Sequence, residues 1–460
     1  YYIFKGYTMT KEVFIKYVQE LILPLFTGSH IAGEDVSTNR DSEVAQGNGG
    51  TMLVKPHKED EYRLIIKRSQ PFKNNDIELM HAIIAELDKI SEYGIEDQTY
   101  KQRLQTLAME KAICNSLSEV SSDVLLGVIQ ELDKYARKTY EGHTISFGII
   151  INEYNNCSER VDTLYYANLF KRDFFTVISN GMQSCIEIDK EGYLLGHVMF
   201  EKLRFVPTIS PYDYIGVAKY CNEKRVGIIL LDSGEILLFK NHELMYSKKR
   251  GIWCSYCHDE IIQLLSNRTT HTIKEIRKAI YFTALDCSFS GNGGCLAYVN
   301  KDELENALTH IDINDIMDEK YFNIKKQQLL EESRKLYNLD KKPPIEEDIS
   351  YQDYIKTRSL TKSDALKQCI AGRKFHELNR KLRQELTAID GATIIDFDGT
   401  IIAIGAIIQI EAGSSGGGRL AAAKTLAKYG VSIKISADGI MQAFIKDRKN
   451  NNIRPIFVVG

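Results

Sequence analysis

Helical and strand-like hydrophobic patterns alternate along this chain of 460 residues. Apolar residues recur every three or four positions in residues 10–28 and through most of residues 75–137, which predicts helices there. Short apolar runs at Thr51–Val54 and Arg63–Ile66 predict strands between them. We therefore expect an α/β region over residues 1–137.

The pattern changes at Thr144, after which apolar β-type runs dominate. These runs read TISFGIIIN, YLLGHVMF and VGIILLDSGEILLF. The last run predicts a β-hairpin, because Asp232-Ser233-Gly234 in its middle is a typical turn sequence. Residues 138–252 are therefore predicted to form a β-rich region, and helices return over residues 258–284.

The remaining residues, 253–460, are predicted to form a third region. Gly291-Asn-Gly-Gly294 precedes an apolar strand, Cys295–Val299. Residues 301–358 are charged and helical, which is typical of an arm or linker insertion or of a solvated helix pair. One further helix is predicted over Leu366–Leu386. Strands that alternate with helices place the whole chain in the α/β class, with mixed sheets.

Composition and charge exclude several classes of protein. The length predicts two or three domains, and a net charge of −3 gives no global basic excess for coating nucleic acid. Nine cysteines, an odd number at irregular spacings, favour reduced thiols and a cytoplasmic location. The longest apolar stretch, Thr393–Ile410, contains Asp396 and Asp398, so no membrane span is expected.

Candidate chemistry is concentrated in the last seventy or so residues. An Asp-Gly-Ala sequence, a strand hairpin, a glycine-rich loop, an Ala-rich helix and a strand with an acidic turn follow in order. These elements are Asp390-Gly391-Ala392, Thr393–Ile395 and Ile401–Ile410 around Asp398-Gly399, Gly413–Gly418, Ala421–Tyr429, and Val431–Ser436 with Ala437-Asp438-Gly439.

A glycine loop that opens a helix directs several backbone N–H groups at one point, where the helix dipole adds positive potential. Ser414 and Ser415 could donate further hydrogen bonds, and Arg419 offers a planar fork for phosphate oxygens. The loop lacks the spacing of a Walker A or Rossmann loop. By composition alone it could equally be a hinge or flexible linker.

The ordered set of motifs resembles the diadenylate cyclase family. In that family a DGA motif and an RHR-containing glycine loop bind nucleotides, and a serine–acidic turn follows the next strand. Here the RHR position reads Gly418-Arg419-Leu420, with one arginine, and the acidic turn is Ala437-Asp438. The resemblance covers about residues 253–460, and the part before it resembles sensor-type regions that precede such domains.

The resemblance implies roles for individual residues. Asp390, Arg419 and Asp438 would be catalytic, with Mg²⁺ or Mn²⁺ held by Asp390 and Asp438, since these ions prefer carboxylate oxygens. The nucleotide-binding residues would be Gly391, Ala392, Ser414, Ser415, Gly416, Gly417, Gly418, Arg419 and Ser436. Turn or capping roles for the two aspartates and a structural salt bridge for the arginine remain alternatives.

Three functions remain open from the sequence. The resemblance implies a nucleotidyltransferase that condenses nucleoside triphosphates, ATP by resemblance, into a cyclic or linear dinucleotide signal. A catalytically degenerate nucleotide sensor or receptor in signalling or antiviral defence is the alternative, and a scaffold without nucleotides is the third. Enzymes of that family place two active sites face to face, so the resemblance implies a homo-oligomer. For a sensor, the expected partner is an effector protein.

Overall fold

A computed structural model describes residues 10–35, 42–57, 62–68, 71–92, 97–154, 164–172, 174–201, 203–266, 273–336, 345–410, 417–447 and 450–460. The chain divides into two compact units, with the division between Cys257 and His258. Both units combine helices with sheets, so the predicted α/β class is confirmed. No helix in the described ranges has the length and apolarity needed to cross a membrane.

The first unit begins with helices around a four-stranded antiparallel sheet of order β1-β4-β3-β2. The strands predicted at Thr51–Val54 and near Arg63 are β3 and β4. The helices are α1 (Lys11–Tyr17), α2 (Asn74–Glu92), α3 (Gln98–Leu117) and α4 (Ser122–Tyr135). A π-helical turn and then a 3-10 turn continue α1 to Leu25. The strands are β1 (His30–Asp35), β2 (Val44–Gln46), β3 (Thr51–Val54) and β4 (Arg63–Lys67).

A seven-stranded sheet completes the first unit, in the order β13-β12-β11-β10-β7-β8-β9. The predicted hairpin is present, because β10 and β11 pair antiparallel and Leu231 N–H bonds the carbonyl of Glu235 across the turn. The sheet strands are β7 (Phe147–Asn152), β8 (Ser184–Asp189), β9 (Leu194–Met199), β10 (Arg225–Leu230), β11 (Ile236–Lys240), β12 (Glu243–Lys249) and β13 (Ile252–Ser255), after a short ribbon of β5 (Thr139–Tyr140) and β6 (His143–Thr144). Short helices α5 (Tyr166–Leu169), α6 (Phe175–Ile178) and α7 (Ile215–Tyr220) connect them.

One hydrophobic core serves both sheets of the first unit. Met52 from β3, Ile113 from α3 and Ile149 from β7 belong to the same buried cluster. The predicted boundary at 137/138 therefore falls inside a continuous core. Trp253, predicted to begin the third region, is also buried there and donates from Nε1 to Glu110 at 3.3 Å.

The second unit is built on a six-stranded mixed sheet of order β16-β15-β14-β17-β18-β19. The central strand β14 runs parallel to β15 and antiparallel to β17. The strands are β14 (Gly294–Val299), β15 (Ala392–Asp396), β16 (Ile401–Ala406), β17 (Gly430–Ile435), β18 (Met441–Lys446) and β19 (Ile453–Val459). The helices are α8 (His258–Leu264), α9 (Lys274–Phe289), α10 (Leu304–Leu308), α11 (Glu319–Leu336), α12 (Tyr351–Thr357), α13 (Lys362–Ile370), α14 (Arg380–Ala388) and α15 (Gly418–Leu426).

The described parts of the charged segment, residues 301–336 and 345–358, are largely helical as predicted, but they are not an arm that stands away from the domain. Tyr321 and Phe322 of α11 and Tyr351 of α12 are buried in the same core as Ile402 of β16. Apolar side chains recur between the charges of this segment, so one face of it packs while the other is solvated.

Two elements differ from their predicted bounds: one predicted helix is divided in two, and one predicted strand is shorter. The single helix predicted over Leu366–Leu386 is two helices, because Ala371 and Gly372 adopt positive φ angles of 52° and 72° that end α13. The strand predicted over Ile401–Ile410 leaves the sheet after Ala406, although its apolar residues continue.

Candidate functional site

The sheet of the second unit brings the predicted motifs to one edge. Because β14 and β15 are parallel, Cys295 pairs with Ala392 at the start of both strands, just after Asp390. Because β17 is antiparallel to β14, its end at Ile435 lies opposite Gly294. Asp390 and the turn after β17 therefore emerge at the same edge of the sheet.

Gly391 is required beside Asp390 for a steric reason. Its φ is +111°, and a Cβ added there would lie 2.3 Å from the carbonyl carbon of Gly405. Gly405 is itself at φ +62°, where the pairing of β15 with β16 shifts register. The two glycines allow the backbones to approach closely, and this contact fixes where the chain presents Asp390.

A pocket of about 400 Å³ opens at this edge. Its lining combines polar residues, here called the polar side, with apolar residues, here called the apolar side. The lining residues are Cys295, Asp390, Gly391, Ala406, Ile407, Ile408, Ile410, Gly418, Arg419 and Ala422. Four predicted site residues thus line one cavity whose size suits a small organic ligand.

Asp390 and Arg419 face each other across the polar side. Nη2 of Arg419 lies 3.8 Å from Oδ1 of Asp390, and the two side chains are 40% and 90% exposed. An ion pair this long and this exposed contributes little to stability. The guanidinium also lies beside Gly293, the residue before β14. A Cβ added to Gly293 would lie 2.5 Å from Nη1 of Arg419 and 3.3 Å from the amide nitrogen of Ala437.

Arg419 stands in the first turn of α15, which begins at Gly418. Gly417, at φ +87°, precedes the helix, and its carbonyl accepts the first helical bond from Ala421 N–H at 3.2 Å. The amides of Gly418, Arg419 and Leu420 therefore have no acceptor within the helix and add positive potential at the pocket. The predicted ligands Ser414, Ser415 and Gly416 lie outside the described residues.

Four other predicted residues do not line the pocket. One of them is Gly417, which stands just before α15. Ala392 is buried as the first residue of β15. Ser436 and Asp438 belong to the turn after β17, where Ser436 N–H bonds the carbonyl of Ile440 and Ser288 Oγ donates to the carbonyl of Gly439. This turn approaches the site through the Ala437 amide, beside Arg419.

The sequence reasoning did not identify the apolar side of the pocket. Ile407 and Ile410 are 66% and 43% exposed while Ile408 is buried, so the segment after β16 presents isoleucines to solvent and cavity together. The sequence did carry a signal, because the largely apolar run from Ile401 to Ile410 continues beyond the length of a usual strand. Cys295 was also missed. Burial raises the pKa of its thiol to about 12, so it is a neutral residue of the pocket lining.

Comparison with known proteins adds no assignment. No protein-family model matches this chain, and no curated protein matches its sequence.

Proposed function

We propose that the second unit binds a nucleoside triphosphate and acts as a nucleotidyltransferase of the diadenylate cyclase kind, which condenses two nucleotides into a dinucleotide signal. The observation that carries the proposal is the shared cavity of Asp390 and Arg419 at the first turn of α15. A carboxylate, a guanidinium and the first-turn amides of a helix, together with an apolar wall, match the parts of a nucleotide.

The two sides of the pocket suit different parts of the ligand. Arg419 and the first-turn amides of α15 would bind phosphate oxygens, because a guanidinium makes two parallel charge-assisted bonds to them. The wall of Ile407, Ile408 and Ile410 would cover the face of a nucleobase. ATP is the first substrate to test, following the sequence resemblance.

Asp390 is the residue proposed for the chemical step. Its exposed carboxylate would orient a 3′-hydroxyl and accept its proton as the oxygen attacks the α-phosphorus. The bond from the α-phosphorus to the bridging oxygen breaks, and pyrophosphate leaves. Arg419 would stabilise the negative charge that develops on the phosphoryl oxygens.

The residues present fit a divalent cation at Asp390. Magnesium in phosphoryl-transfer sites is held by one or two carboxylates together with substrate phosphates, and the Asp390 carboxylate is open to the pocket. Asp438 is less suited to hold the cation, since its Oδ1 is shielded from solvent. A bound Mg²⁺ or Mn²⁺ would neutralise charge on the transferring phosphoryl group.

The test is incubation of the full chain with the four ribo- and four deoxynucleoside triphosphates, with Mg²⁺ or Mn²⁺, followed by mass spectrometry and a pyrophosphate assay. A dinucleotide product with released pyrophosphate supports the enzyme. Its loss in Asp390→Asn, with the fold intact, would support the role given to that residue.

A nucleotide sensor is the second candidate, favoured by one observation. The helix start that would hold the phosphates carries a single arginine, Arg419, followed by Leu420. Tight nucleotide binding without turnover would support this reading, and no rise in melting temperature with any nucleotide would favour a scaffold. We also propose a cytoplasmic location, where the thiols of the eight described cysteines would remain reduced.

A further inference from the structure

The apolar wall of the pocket is not part of the sheet. After β16 ends at Ala406, the chain continues through Ile407, Ile408 and Ile410 along the cavity. Outside a sheet, such a segment needs other partners for its backbone groups, or it will sample many conformations.

The partners come from the charge-rich segment that follows β14, which is the charged segment 301–358 described above. Gln409 N–H donates to the carbonyl of His310 at 3.0 Å, and Nδ1 of His310 lies 2.9 Å from the carbonyl of Gln409. Asp315 accepts a hydrogen bond from the Ile407 amide. Both backbone groups of Gln409, between Ile408 and Ile410, are thus bound by one histidine.

The ring of His310 is held in place from its other side. His310 is 7% exposed, and its Nε2 lies 2.7 Å from the hydroxyl of Tyr429, just beyond the end of α15. The two rings also pack, with centroids 5.4 Å apart. Because the Gln409 carbonyl can only accept, Nδ1 must carry a proton, and in the neutral imidazole Nε2 then accepts from the tyrosine.

We infer that His310 is a positioning residue that sets the apolar wall of the nucleotide pocket, so that the segment after β14 controls recognition of the nucleobase. This inference rests on the proposed function. His310 does not line the pocket and acts through Gln409. The phosphate side depends instead on Arg419 and the start of α15, so the two parts of the ligand should respond differently to changes at His310.

The experiment compares His310→Ala, His310→Asn and Tyr354→Phe in the full chain. Asn places an amide nitrogen near the position of Nδ1, so it can still donate to Gln409. Tyr354→Phe is the control, because it removes a hydroxyl bonded to Asn314 at 3.1 Å in the same charge-rich segment. Each protein is titrated with ATP and, separately, with inorganic tripolyphosphate.

We expect His310→Ala to raise the Kd for ATP about tenfold, the equivalent of one lost buried hydrogen bond, and to leave tripolyphosphate binding within about twofold. His310→Asn should recover most of the ATP affinity, and Tyr354→Phe should match the wild type. Equal weakening of both ligands by His310→Ala would show a general structural role and overturn the inference.

A second measurement needs no nucleotide. Hydrogen–deuterium exchange of the peptide that covers residues 403–410 should be faster in His310→Ala than in the wild type and the control, because the Gln409 amide loses its fixed acceptor geometry. Unchanged exchange there would overturn the inference. If the wild type binds neither ligand, the proposed function fails, and the exchange result still decides whether His310 positions the wall.

Discussion

Nη2 of Arg419 lies 3.8 Å from Oδ1 of Asp390, and both side chains line the same cavity. The carboxylate is almost fully exposed, so the arginine is not consumed by a buried ion pair. A phosphate that enters the pocket would meet Arg419 with its charge only partly compensated, and it would compete with Asp390 for the same guanidinium.

This competition predicts opposite effects of Asp390→Asn on binding and turnover. Without divalent cations, the variant should bind ATP a few-fold more tightly than the wild type, because a repelling charge near the phosphates is removed. With Mg²⁺ or Mn²⁺ it should form no dinucleotide. Isothermal titration with EDTA and a product assay measure the two effects. Weaker metal-free binding in the variant would contradict this account of the pair.

We expect phosphate binding to depend on the guanidinium group of Arg419. Arg419→Ala should weaken tripolyphosphate binding about 10- to 100-fold, since hydrogen bonds to charged groups contribute about 1.5–3 kcal/mol. Arg419→Lys should recover only part of that, because an ammonium lacks the planar fork. Lys424→Ala, an exposed change on the same helix, is the control and should bind like the wild type. Equal affinities in all three variants would remove Arg419 from the site.

Gly391→Ala should lower the thermal stability of the second unit. The new Cβ would lie 2.3 Å from backbone at Gly405 and sit on a residue with φ +111°, so we expect a cost of about 2 kcal/mol or more. Gly418→Ala is the matched control, because a Cβ there meets nothing within 4 Å. It should leave stability unchanged or raise it slightly. Calorimetry of both variants tests the contact, which is refuted by an unchanged midpoint in Gly391→Ala.

The turn between β15 and β16 predicts a pH dependence of stability. Burial, together with hydrogen bonding to Asp398, raises the pKa of Asp396 from 3.8 to about 6. The folded state therefore keeps a proton that the unfolded chain releases, and the contribution of Asp396 to the free energy of unfolding decreases as pH rises from about 4 through 6. Asp396→Asn stays neutral, so its urea midpoint should fall less than that of the wild type between pH 4.5 and 7. Parallel midpoints would contradict the shift.

Local patterns in the sequence predicted most elements of the fold, but not their partners. The strands at Thr51–Val54 and Cys295–Val299 and the hairpin around Ser233 follow from apolar runs bounded by turn residues. The packing of Tyr321 and Phe322 into the core of the second unit was not predicted, because the surrounding charges hide a narrow apolar face. The burial of these two residues depends on tertiary contacts, which the local pattern does not show.

The candidate site was predictable only on its polar side. Asp390, Gly391, Gly418 and Arg419 were identified from motif order, and the parallel pairing of β14 with β15 brings them together. The apolar wall was missed because a strand and a segment that leaves a sheet share the same residues, such as Ile408 and Ile410. What distinguishes them is the hydrogen bonding to His310, which lies far away in sequence.

The connection between the central strands of the second unit has a consequence for how the protein forms. β14 ends at Val299 and its parallel neighbour β15 begins at Ala392, so the long segment between them must be synthesised before the two strands can pair. Contacts between such distant residues slow folding, since a long loop has to close first. During synthesis the first unit can fold while the ribosome is still translating this segment. The cavity should therefore form after the first unit has folded.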